Sequence, residues 1–335
     1  YNLPKAEIPD HHPTSKFFGK GVSMANGNRW AQQRKIATPA FNRALRPEMV
    51  GDCTKDFITL LDKWTDTPMN VFLLMQRVTI QILGKLAFAY DMKALDNWEE
   101  EPYFLTTYRK IIPGILESAA QQDYKCINKE LRDDIVIYFV AGHDTSSLSL
   151  STVFYYLAKY PDIQKKAREE AINVLGSSSK LPTSDNLRDL KYITAIIMEA
   201  LRLYPPATII FSRSPIKPLN LSRNITIPEG TKLTVGLWQI QRNPDVWENV
   251  DEFIPERFMN PDKEIKSNWV AFSSGPRNCI GQNFSMMEQK IIIAMTLLNF
   301  EVSLPPNMKR LDKISLTSSF MLYPKELNVV FSKLK

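Results

Sequence analysis

Cysteine and histidine are scarce in this sequence, with three of each among 335 residues. The cysteines, Cys53, Cys126 and Cys279, lie far apart, so they form neither a disulfide framework nor a C-x-x-C zinc motif. Two of the three histidines fall within the first twelve residues, which leaves only His143 for the rest of the chain. The sequence therefore disfavours a histidine-based hydrolase and a histidine-ligated metal site.

Long apolar runs and blocks of like charge are also missing. The longest apolar stretches, near 135–141 and 291–298, are far too short to span a bilayer. The net charge is +6 and the basic residues are scattered, so we expect no nucleic-acid-binding arm. The first residue is Tyr1, so we expect the sequence to begin inside a longer protein, which leaves an upstream membrane anchor open.

The composition and the periodicity that are present indicate a globular, mainly α-helical protein. Hydrophobic residues make up 44% of the chain and charged residues 23%. Helical patterns cover 28–37, 47–64, 71–90, 131–160, 161–175 and 183–203. After Pro205-Pro206 the pattern favours short strands, at 208–211, 225–227, 232–237, 301–304, 314–320 and 327–331. We predict one domain over 1–335, mainly α with a small β part.

One stretch, Phe272 to Gly281, places two glycines, a proline and a cysteine directly before an apolar helical run. A thiol at a helix start lies where backbone N–H groups and the helix dipole favour a thiolate. Gly275 and Gly281 leave room for a flat, bulky group beside the backbone. Arg277 can offer two parallel hydrogen bonds to a carboxylate. These features fit a haem site in which Cys279 is the axial thiolate and Arg277 binds a propionate.

Other interpretations of Cys279 are weaker. A lone cysteine is most often a small buried apolar side chain. A phosphatase loop also surrounds a cysteine with backbone amides, but it needs an arginine six residues later, where this chain has Ser285. A cysteine hydrolase needs a histidine partner, and His143 is the single candidate outside the first twelve residues.

Phe272, Gly275, Arg277, Cys279 and Gly281 resemble the haem loop of the cytochrome P450 family, F-x-x-G-x-R-x-C-x-G. Four further elements of that family precede the loop in the same order, from about residue 19 onwards. They are W-x-x-x-R at Trp30 and Arg34, A-G-x-D-T at 141–145, E-x-x-R at Glu199 and Arg202, and P-E-R-F at 255–258. The sub-pattern is similar to that of eukaryotic microsomal members.

The resemblance implies a haem b cofactor with Cys279 as the axial iron ligand. Phe272, Gly275 and Gly281 would border the haem. The propionate ligands would be Trp30, Arg34, Arg213 and Arg277. Without the family context, Trp30 and Arg34 would be read as a surface cation–π pair.

The resemblance also implies roles for residues of the central helix. Ala141 and Gly142 would open a groove beside the haem, Thr145 would hydrogen-bond dioxygen, and Asp144 would supply protons. Seen alone, this polar notch equally fits a helix–helix crossing with a satisfied threonine. Glu199, Arg202 and Arg257 would form a buried structural network, although an i,i+3 pair is usually a surface salt bridge.

The implied activity is that of a monooxygenase, which inserts one atom of O2 into a small apolar substrate and releases the other as water. Electrons would come from an NADPH-dependent reductase, with Arg29 and Lys35 as candidates for its docking. The family resemblance places such a protein at the endoplasmic reticulum membrane, on its cytoplasmic face. A peroxide-using or substrate-rearranging haem enzyme is the less favoured relative, because such members often lack a pair like Thr145 and Asp144.

Two departures from the family pattern stand out. Members usually place several helices between the segment similar to 78–95 and the central helix, and here only 96–130 fills that space. Those helices roof the substrate pocket, so we expect a helical block to be missing, with a haem-binding but inactive remnant as the alternative function. Gln241 stands where many relatives have histidine, and we expect its amide to be tolerated.

Overall fold

The computed structural model describes residues 3–8, 15, 19, 21–43, 46–100, 129–177, 180–221, 224–306, 308, 314, 316 and 321–334. Its helices are α1 (Gly27–Arg43), α2 (Pro47–Lys63), α3 (Val71–Ala87), α4 (Lys129–Lys159), α5 (Pro161–Leu175), α6 (Ser184–Asp189), α7 (Lys191–Leu203), α8 (Leu237–Ile240), α9 (Lys263–Asn268) and α10 (Gln282–Leu297). A 3-10 helix covers Pro255–Phe258. The strands are β1 (Pro68–Asn70), β2 (Leu219–Leu221), β3 (Ile225–Ile227), β4 (Phe300–Ser303) and β5 (Asn328–Lys333). The predicted mainly α class with a small β part is confirmed.

The ends of several helices follow from local sequence. Proline occupies the first position of α2 and of α5, where its missing N–H costs nothing. The Asn70 side chain accepts hydrogen bonds from the N–H groups of Phe72 and Leu73, both at 3.1 Å, and so caps α3. Helix α5 ends at Gly176, whose φ of 73° suits glycine.

The hydrophobic core lies around α4, the longest helix. Its C-terminal half buries Val153, Phe154 and Leu157 completely. Helix α3 packs closely along α4, and α7 and α10 contact it from other sides. Each of these neighbours presents an apolar face, as Ile291 and Ile292 of α10 do with no exposed surface. The core therefore fixes the position of α4 relative to α10, and both helices contribute residues to the cavity described below.

Two small antiparallel sheets complete the described part of the fold. One has the strand order β1-β5-β4, with Pro68 opposite Val330 and Phe300 opposite Lys333. The other is the hairpin of β2 and β3, with Leu219 opposite Ile227. Among the described residues, we find no helix with both the length and the apolar character that crossing a membrane requires.

The helix predicted over 28–37 proved too short. Helix α1 continues through Pro39 to Arg43. Proline removes one N–H donor from the helix, yet a tertiary contact lies beyond it, because the Phe41 ring packs edge-on against Tyr138 of α4 at 5.2 Å. Packing of this kind overrides local propensity.

The single helix predicted over 183–203 is two helices. Thr183 and Asn186 form a capping box at the start of α6, and Leu190, with ψ of 67°, separates α6 from α7. The Glu170 carboxylate accepts hydrogen bonds from the N–H groups of Tyr192 and Ile193, at 2.6 and 2.8 Å. A carboxylate from α5 thus caps α7, which no local pattern could indicate.

Two predicted strands, 208–211 and 232–237, were also wrong. They make only isolated bridges, Ile209 with Gly236 and Arg213 with Leu233, and Leu237 begins α8. Without a continuous ladder, these segments form irregular walls instead of a sheet. Most of the strand predicted over 314–320 lies outside the described residues, as do Cys126, the first two histidines and residues 101–128 of the proposed gap.

Candidate functional site

The loop before α10 is a tight turn closed by its own backbone. The N–H of Cys279 donates to the Phe272 carbonyl at 2.9 Å, and the N–H of Asn278 donates to the Gly275 carbonyl at 3.1 Å. Gly275 has φ of 77° and Ser273 has φ of 61°. This left-handed conformation suits glycine, whereas it is strained for serine. The turn therefore holds the cysteine at the N-terminus of α10.

The Cys279 thiol is open on one side and enclosed by protein on the others. The side chain is exposed where it faces a cavity. Desolvation by the surrounding protein raises the pKa of the Cys279 thiol, whereas the N–H of Gly281, the charge of Arg34 and the N–H of Gln282 lower it. A Cβ added at Gly281 would lie 3.9 Å from Sγ. The site thus offers hydrogen bonds to a thiolate, which a bound cation would favour further.

A cavity connects the cysteine loop to α4. It holds about 880 Å³ of empty space, including the part that opens to solvent. Its polar lining includes Lys5, Thr145, Arg213, Arg277, Cys279 and Ser285, and its apolar lining includes Leu201, Pro206, Ala207, Ile209, Ile210 and Phe211. Residues that lie more than 130 positions apart in the sequence therefore meet around one space. Phe272 lines it as well.

Arg277 and Arg213 bring positive charge to this cavity. Arg277 stacks on the Trp30 ring at 4.4 Å and donates from Nη1 to the Ala25 carbonyl at 2.8 Å. Its Nε and the Nη1 of Arg213 are buried, and neither has a hydrogen-bond partner among the described residues. Desolvation, together with the charge of Arg213, lowers the pKa of Arg277 to about 10. Two cations with unused donors at one cavity fit an anionic ligand.

Trp30 and Arg34 lie at the cysteine loop without lining the cavity. The Trp30 ring stacks against the guanidinium group of Arg277. Arg34 donates from Nη1 to the Asn278 carbonyl at 2.8 Å and from Nη2 to Asn278 Oδ1 at 2.9 Å. Their role as propionate ligands stays a prediction, and the described structure gives them contacts to the loop and to Arg277.

Thr145 and Asp144 face different surroundings on α4. Thr145 lines the cavity, and its hydroxyl donates to the Ala141 carbonyl at 2.6 Å. Asp144 is 1% exposed and accepts hydrogen bonds from Gln76 Nε2 at 3.0 Å and from the Tyr323 hydroxyl at 3.1 Å. Thr145 is therefore placed to touch a ligand, whereas Asp144 is held inside the protein.

The groove predicted at Ala141 and Gly142 stays a prediction, and the described structure gives Gly142 a packing role. Helix α4 is unbroken through this segment. A Cβ at Gly142 would lie 3.2 Å from Leu83 of α3, so the glycine permits close packing of the two helices. Neither Ala141 nor Gly142 is part of the cavity lining.

Glu199, Arg202 and Arg257 meet in a buried network. Arg202 donates to both carboxylate oxygens of Glu199, at 2.7 and 2.8 Å, and Arg257 Nε lies 3.3 Å from Glu199 Oε1. Glu199 and Arg202 have no exposed surface. Arg202 also donates to the Val250 carbonyl at 2.8 Å. The network joins α7 to the irregular segment that precedes the cysteine loop.

Gln241 extends this support toward the loop. Its amide nitrogen donates to the Leu201 carbonyl at 3.0 Å, and its amide oxygen accepts from the N–H of Val270 at 3.1 Å. Val270 is two residues before Phe272. The side chain is fully buried and uses both ends of its amide, so it ties the end of α7 to the base of the loop.

Lys5 is a cavity residue that the sequence did not indicate. Residues 1–27 are rich in turn-forming residues and carry no periodic pattern, so no local signal marks this lysine. Its position depends on an isolated antiparallel bridge to Arg213, more than 200 residues later.

Comparison with known proteins agrees with these motifs. The family described as "Cytochrome P450" matches the chain in two overlapping pieces, residues 4–122 and 109–331. The chain is similar to Cytochrome P450 4X1 of Mus musculus, with 29% identity over 94% of this chain and 75% of the relative. It is also similar to Cytochrome P450 4A24 of Sus scrofa, with 28% identity over 88% of this chain and 72% of the relative.

A third relative is Taurochenodeoxycholic 6 alpha-hydroxylase of Sus scrofa, 27% identical over 87% of this chain and 71% of that protein. The alignment with the mouse relative runs over 387 residues, more than the 335 of this chain, so it opens gaps on this side. The mouse relative therefore holds sequence inside the aligned region that this chain does not have.

Proposed function

Because the chain belongs to the cytochrome P450 family, whose members are haem-thiolate monooxygenases, we propose that it oxidises a small apolar substrate with O2 and electrons from an NADPH-dependent reductase. The observation that carries this proposal is the shared cavity of Cys279, Thr145, Arg213 and Arg277. Family membership implies haem with a cysteine thiolate ligand, and the assignment of these particular residues is our proposal.

The residues around the cavity fit a haem. Cys279 is the proposed axial ligand, because its thiol faces the cavity and receives N–H groups from the start of α10. The buried, unused donors of Arg213 and Arg277 suit the two propionates. Trp30 and Arg34 would hold Arg277 and the loop in place, while Phe272, Gly275 and Gly281 would shape the loop around the cofactor.

When bound, the haem supplies the oxygen chemistry, and a thiolate ligand favours cleavage of the O–O bond. The chain's own residues would bind, orient and move protons. Thr145 gives its hydrogen to Ala141 and so presents acceptor lone pairs to the cavity. Asp144, which accepts hydrogen bonds from Gln76 and Tyr323, would relay protons toward Thr145 after a side-chain rotation.

The cavity wall favours an apolar substrate. Leu201, Ala207, Ile209, Ile210 and Phe211 form one side of it, and such walls bind ligands mainly through burial of apolar surface. The residues that would roof this space belong to the helical block that we propose is absent around 96–130. Two overlapping family matches and a gapped alignment support that proposal.

The reductase would dock over α1. Lys35 is exposed and adjoins Ile36, which is 78% exposed, on the helix whose Arg34 holds the cysteine loop. An exposed lysine on the helix that contacts the cysteine loop suits an acidic electron donor. Location at the endoplasmic reticulum membrane, facing the cytoplasm, is our proposal from the family resemblance.

The test is reconstitution of the haem-loaded protein with a microsomal reductase, NADPH and a panel of apolar substrates. We expect product that needs both NADPH and O2, that carbon monoxide suppresses, and that Lys35→Glu slows through reductase affinity. A haem-loaded protein that consumes no NADPH with any substrate would instead support the inactive remnant.

A further inference from the structure

The contacts of His143, a buried residue of α4, define where one of its ring hydrogens lies. His143 occupies the x position of A-G-x-D-T, for which the resemblance implies no role. Its side chain has no exposed surface, and Nδ1 lies 3.0 Å from the carbonyl oxygen of Phe139, one turn earlier. A carbonyl oxygen can only accept a hydrogen bond, so Nδ1 must carry a hydrogen. The ring is therefore either neutral, with a bare Nε2, or an imidazolium with a hydrogen on both nitrogens.

The carboxylate of Asp144 decides between these two forms. Nε2 of His143 lies 3.2 Å from Asp144 Oδ1, and the Asp144 side chain is buried as well. A bare Nε2 would turn its lone pair toward a buried anion and leave that anion without a counter-charge, which is costly. Asp144 accepts hydrogen bonds from Gln76 Nε2 at 3.0 Å and from the Tyr323 hydroxyl at 3.1 Å, and both favour its ionised form. The favourable arrangement is an imidazolium beside a carboxylate, with a net charge of zero.

Two elements in the described part of the chain contact this pair. Helix α3 packs along α4 and contributes Gln76, while its neighbouring cation, Arg77, donates to backbone carbonyls between 94 and 100. The segment 321–324 contributes Tyr323. Desolvation, the charge of Asp144 and the hydrogen bond to it raise the pKa of Tyr323, so its hydroxyl stays a donor. These groups stabilise the carboxylate and leave the transferable proton on the histidine.

We propose that His143 holds the proton that Asp144 relays to Thr145, so that the histidine and the aspartate act as one proton-carrying unit. The inference rests on the proposed function, since it assumes that Thr145 passes protons to a ligand in the cavity. His143 does not line the cavity and acts through Asp144, which makes it a positioning residue for the proton.

The transfer balances within this unit. The Nε2–H bond of His143 breaks and an O–H bond forms on Asp144, which turns toward Thr145 as a neutral carboxylic acid. Asp144 gives this proton to the Thr145 oxygen as the threonine passes its own hydrogen to the ligand. A proton from solvent then restores the Nε2–H bond, and no electron moves.

The first experiment counts the hydrogens on the His143 ring by nitrogen-15 NMR. The sample is the reduced, carbon monoxide-bound holoprotein, which is diamagnetic, with labelled histidine and with His11→Gln and His12→Gln, so that His143 gives the only signals. We expect two ring N–H signals at pH 7.5, where an ordinary histidine is mostly neutral. Asp144→Asn should leave the Nδ1–H signal alone, whereas Asp162→Asn, which alters an exposed carboxylate, should leave both.

The second experiment measures product formed per O2 consumed between pH 6 and pH 8. His143→Gln keeps an amide donor for the Phe139 carbonyl but cannot hold a transferable proton. Product would then depend on the small protonated fraction of Asp144, which falls by up to about tenfold per pH unit. We expect wild type to vary within about twofold over this range, and His143→Gln to lose about tenfold or more at pH 8 and much less at pH 6.

The control for the second experiment is Ser147→Ala. Ser147 is buried in the same part of α4 and donates to the Asp144 carbonyl at 2.8 Å, but it does not titrate. Its pH profile should run parallel to that of wild type. A purely structural role of His143 would give His143→Gln such a parallel profile too.

A single ring N–H signal at pH 7.5, or parallel profiles for wild type and His143→Gln, overturns the proposal. Either experiment alone decides the matter if one variant is unstable. The absorbance band of the reduced, carbon monoxide-bound protein separates this failure from failure of the proposed function. A thiolate-type band with one N–H signal removes only the role of His143, and no haem uptake by wild type removes both.

Discussion

At the residue scale, the side chains around the cavity differ in which of their hydrogen-bonding capacities remain available. Thr145 has used its donor on the Ala141 carbonyl, so it can only accept a hydrogen bond from a ligand. Arg213 and Arg277 have the reverse property, because each keeps a buried donor without a partner in the described structure. This division would suit a ligand with carboxylates beside the two arginines and a hydrogen-bond donor beside Thr145.

Removing the Thr145 hydroxyl should uncouple the reaction without affecting haem. We expect Thr145→Val to keep the carbon monoxide band and to lose about tenfold or more in product per O2 consumed, with hydrogen peroxide as the alternative product. Thr152→Val is the matched control, since Thr152 makes the same kind of bond, to Leu148 at 3.1 Å, away from the cavity. Equal coupling in the two variants would contradict a role for Thr145.

The buried network should depend on Glu199 more than on any surface pair. Glu199→Gln leaves the guanidinium groups of Arg202 and Arg257 without a counter-charge, which typically costs about 3–5 kcal/mol. Asp185→Asn is the control, because Asp185 and Arg188 form the same i,i+3 spacing with side chains 81% and 77% exposed. It should cost less than about 1 kcal/mol. Denaturant unfolding of the two holoproteins measures the difference, and similar losses would contradict the account.

At the scale of elements, local patterns located the helices better than they located the connections. Helix α5 begins and ends where its proline and glycine predicted, over 161–175. The break at Leu190 and the passage of α1 through Pro39 depend on Glu170 and on Tyr138, which are distant in sequence. The segment 208–211 has residues that favour β structure and predict a strand, yet it makes only an isolated bridge, at Ile209.

The site shows the same division. The motifs identified Cys279, Thr145, Arg213 and Arg277, and all four meet at the cavity. Lys5 could not be found, because its place depends on pairing with a segment 208 residues away. The packing reason for Gly142, contact with Leu83, was equally invisible to a reading of the single helix. Sequence motifs identify the main site residues, whereas further residues reach the site only through tertiary contacts that the sequence does not show.

Gln241 links α7 to the segment before the cysteine loop and should stabilise the position of that loop. Gln241→Leu keeps the approximate size but leaves the Leu201 carbonyl and the Val270 N–H without their partner, at about 1–3 kcal/mol each. We expect lower stability and a smaller fraction of protein that incorporates haem. Gln241→His supplies a donor and an acceptor and should retain most of both. Full haem incorporation by Gln241→Leu would contradict this linkage.

At the scale of the whole molecule, one buried acid should govern how stability depends on pH. Glu288 of α10 is completely buried, and neither carboxyl oxygen has a well-placed hydrogen-bond partner among the described residues. Desolvation raises the pKa of Glu288 from 4.5 to about 8, against a smaller opposing effect of the Ser146 hydroxyl. Between these values the folded state binds more protons than the unfolded state, so stability falls as the pH rises.

Glu288→Gln removes that titration while keeping the shape of the side chain. We expect the unfolding temperature of wild type to fall between pH 5 and pH 8 by more than that of Glu288→Gln, which should be the more stable protein at pH 8. Glu169→Gln alters an exposed carboxylate on α5 and serves as the control. Parallel pH profiles for wild type and Glu288→Gln would show that Glu288 is ionised in the folded protein.

The overall architecture also limits what can be read from the sequence. The mainly α class and the family were predicted correctly, because five motifs occur in family order. The absence of a helical block around 96–130 stays a prediction, since residues 101–128 lie outside the described part. We expect the residues that select the substrate to lie in that block, because the described cavity wall offers only general apolar contacts.

The central claim is that Cys279 binds a haem iron as a thiolate. The most direct measurement is the absorbance difference spectrum of the reduced holoprotein with and without carbon monoxide, for wild type, Cys279→Ser and Cys53→Ala. We predict a Soret band shifted far to the red for wild type and for Cys53→Ala, whose cysteine is buried away from the cavity. Cys279→Ser should lose that band. A red-shifted band that persists in Cys279→Ser would contradict the account.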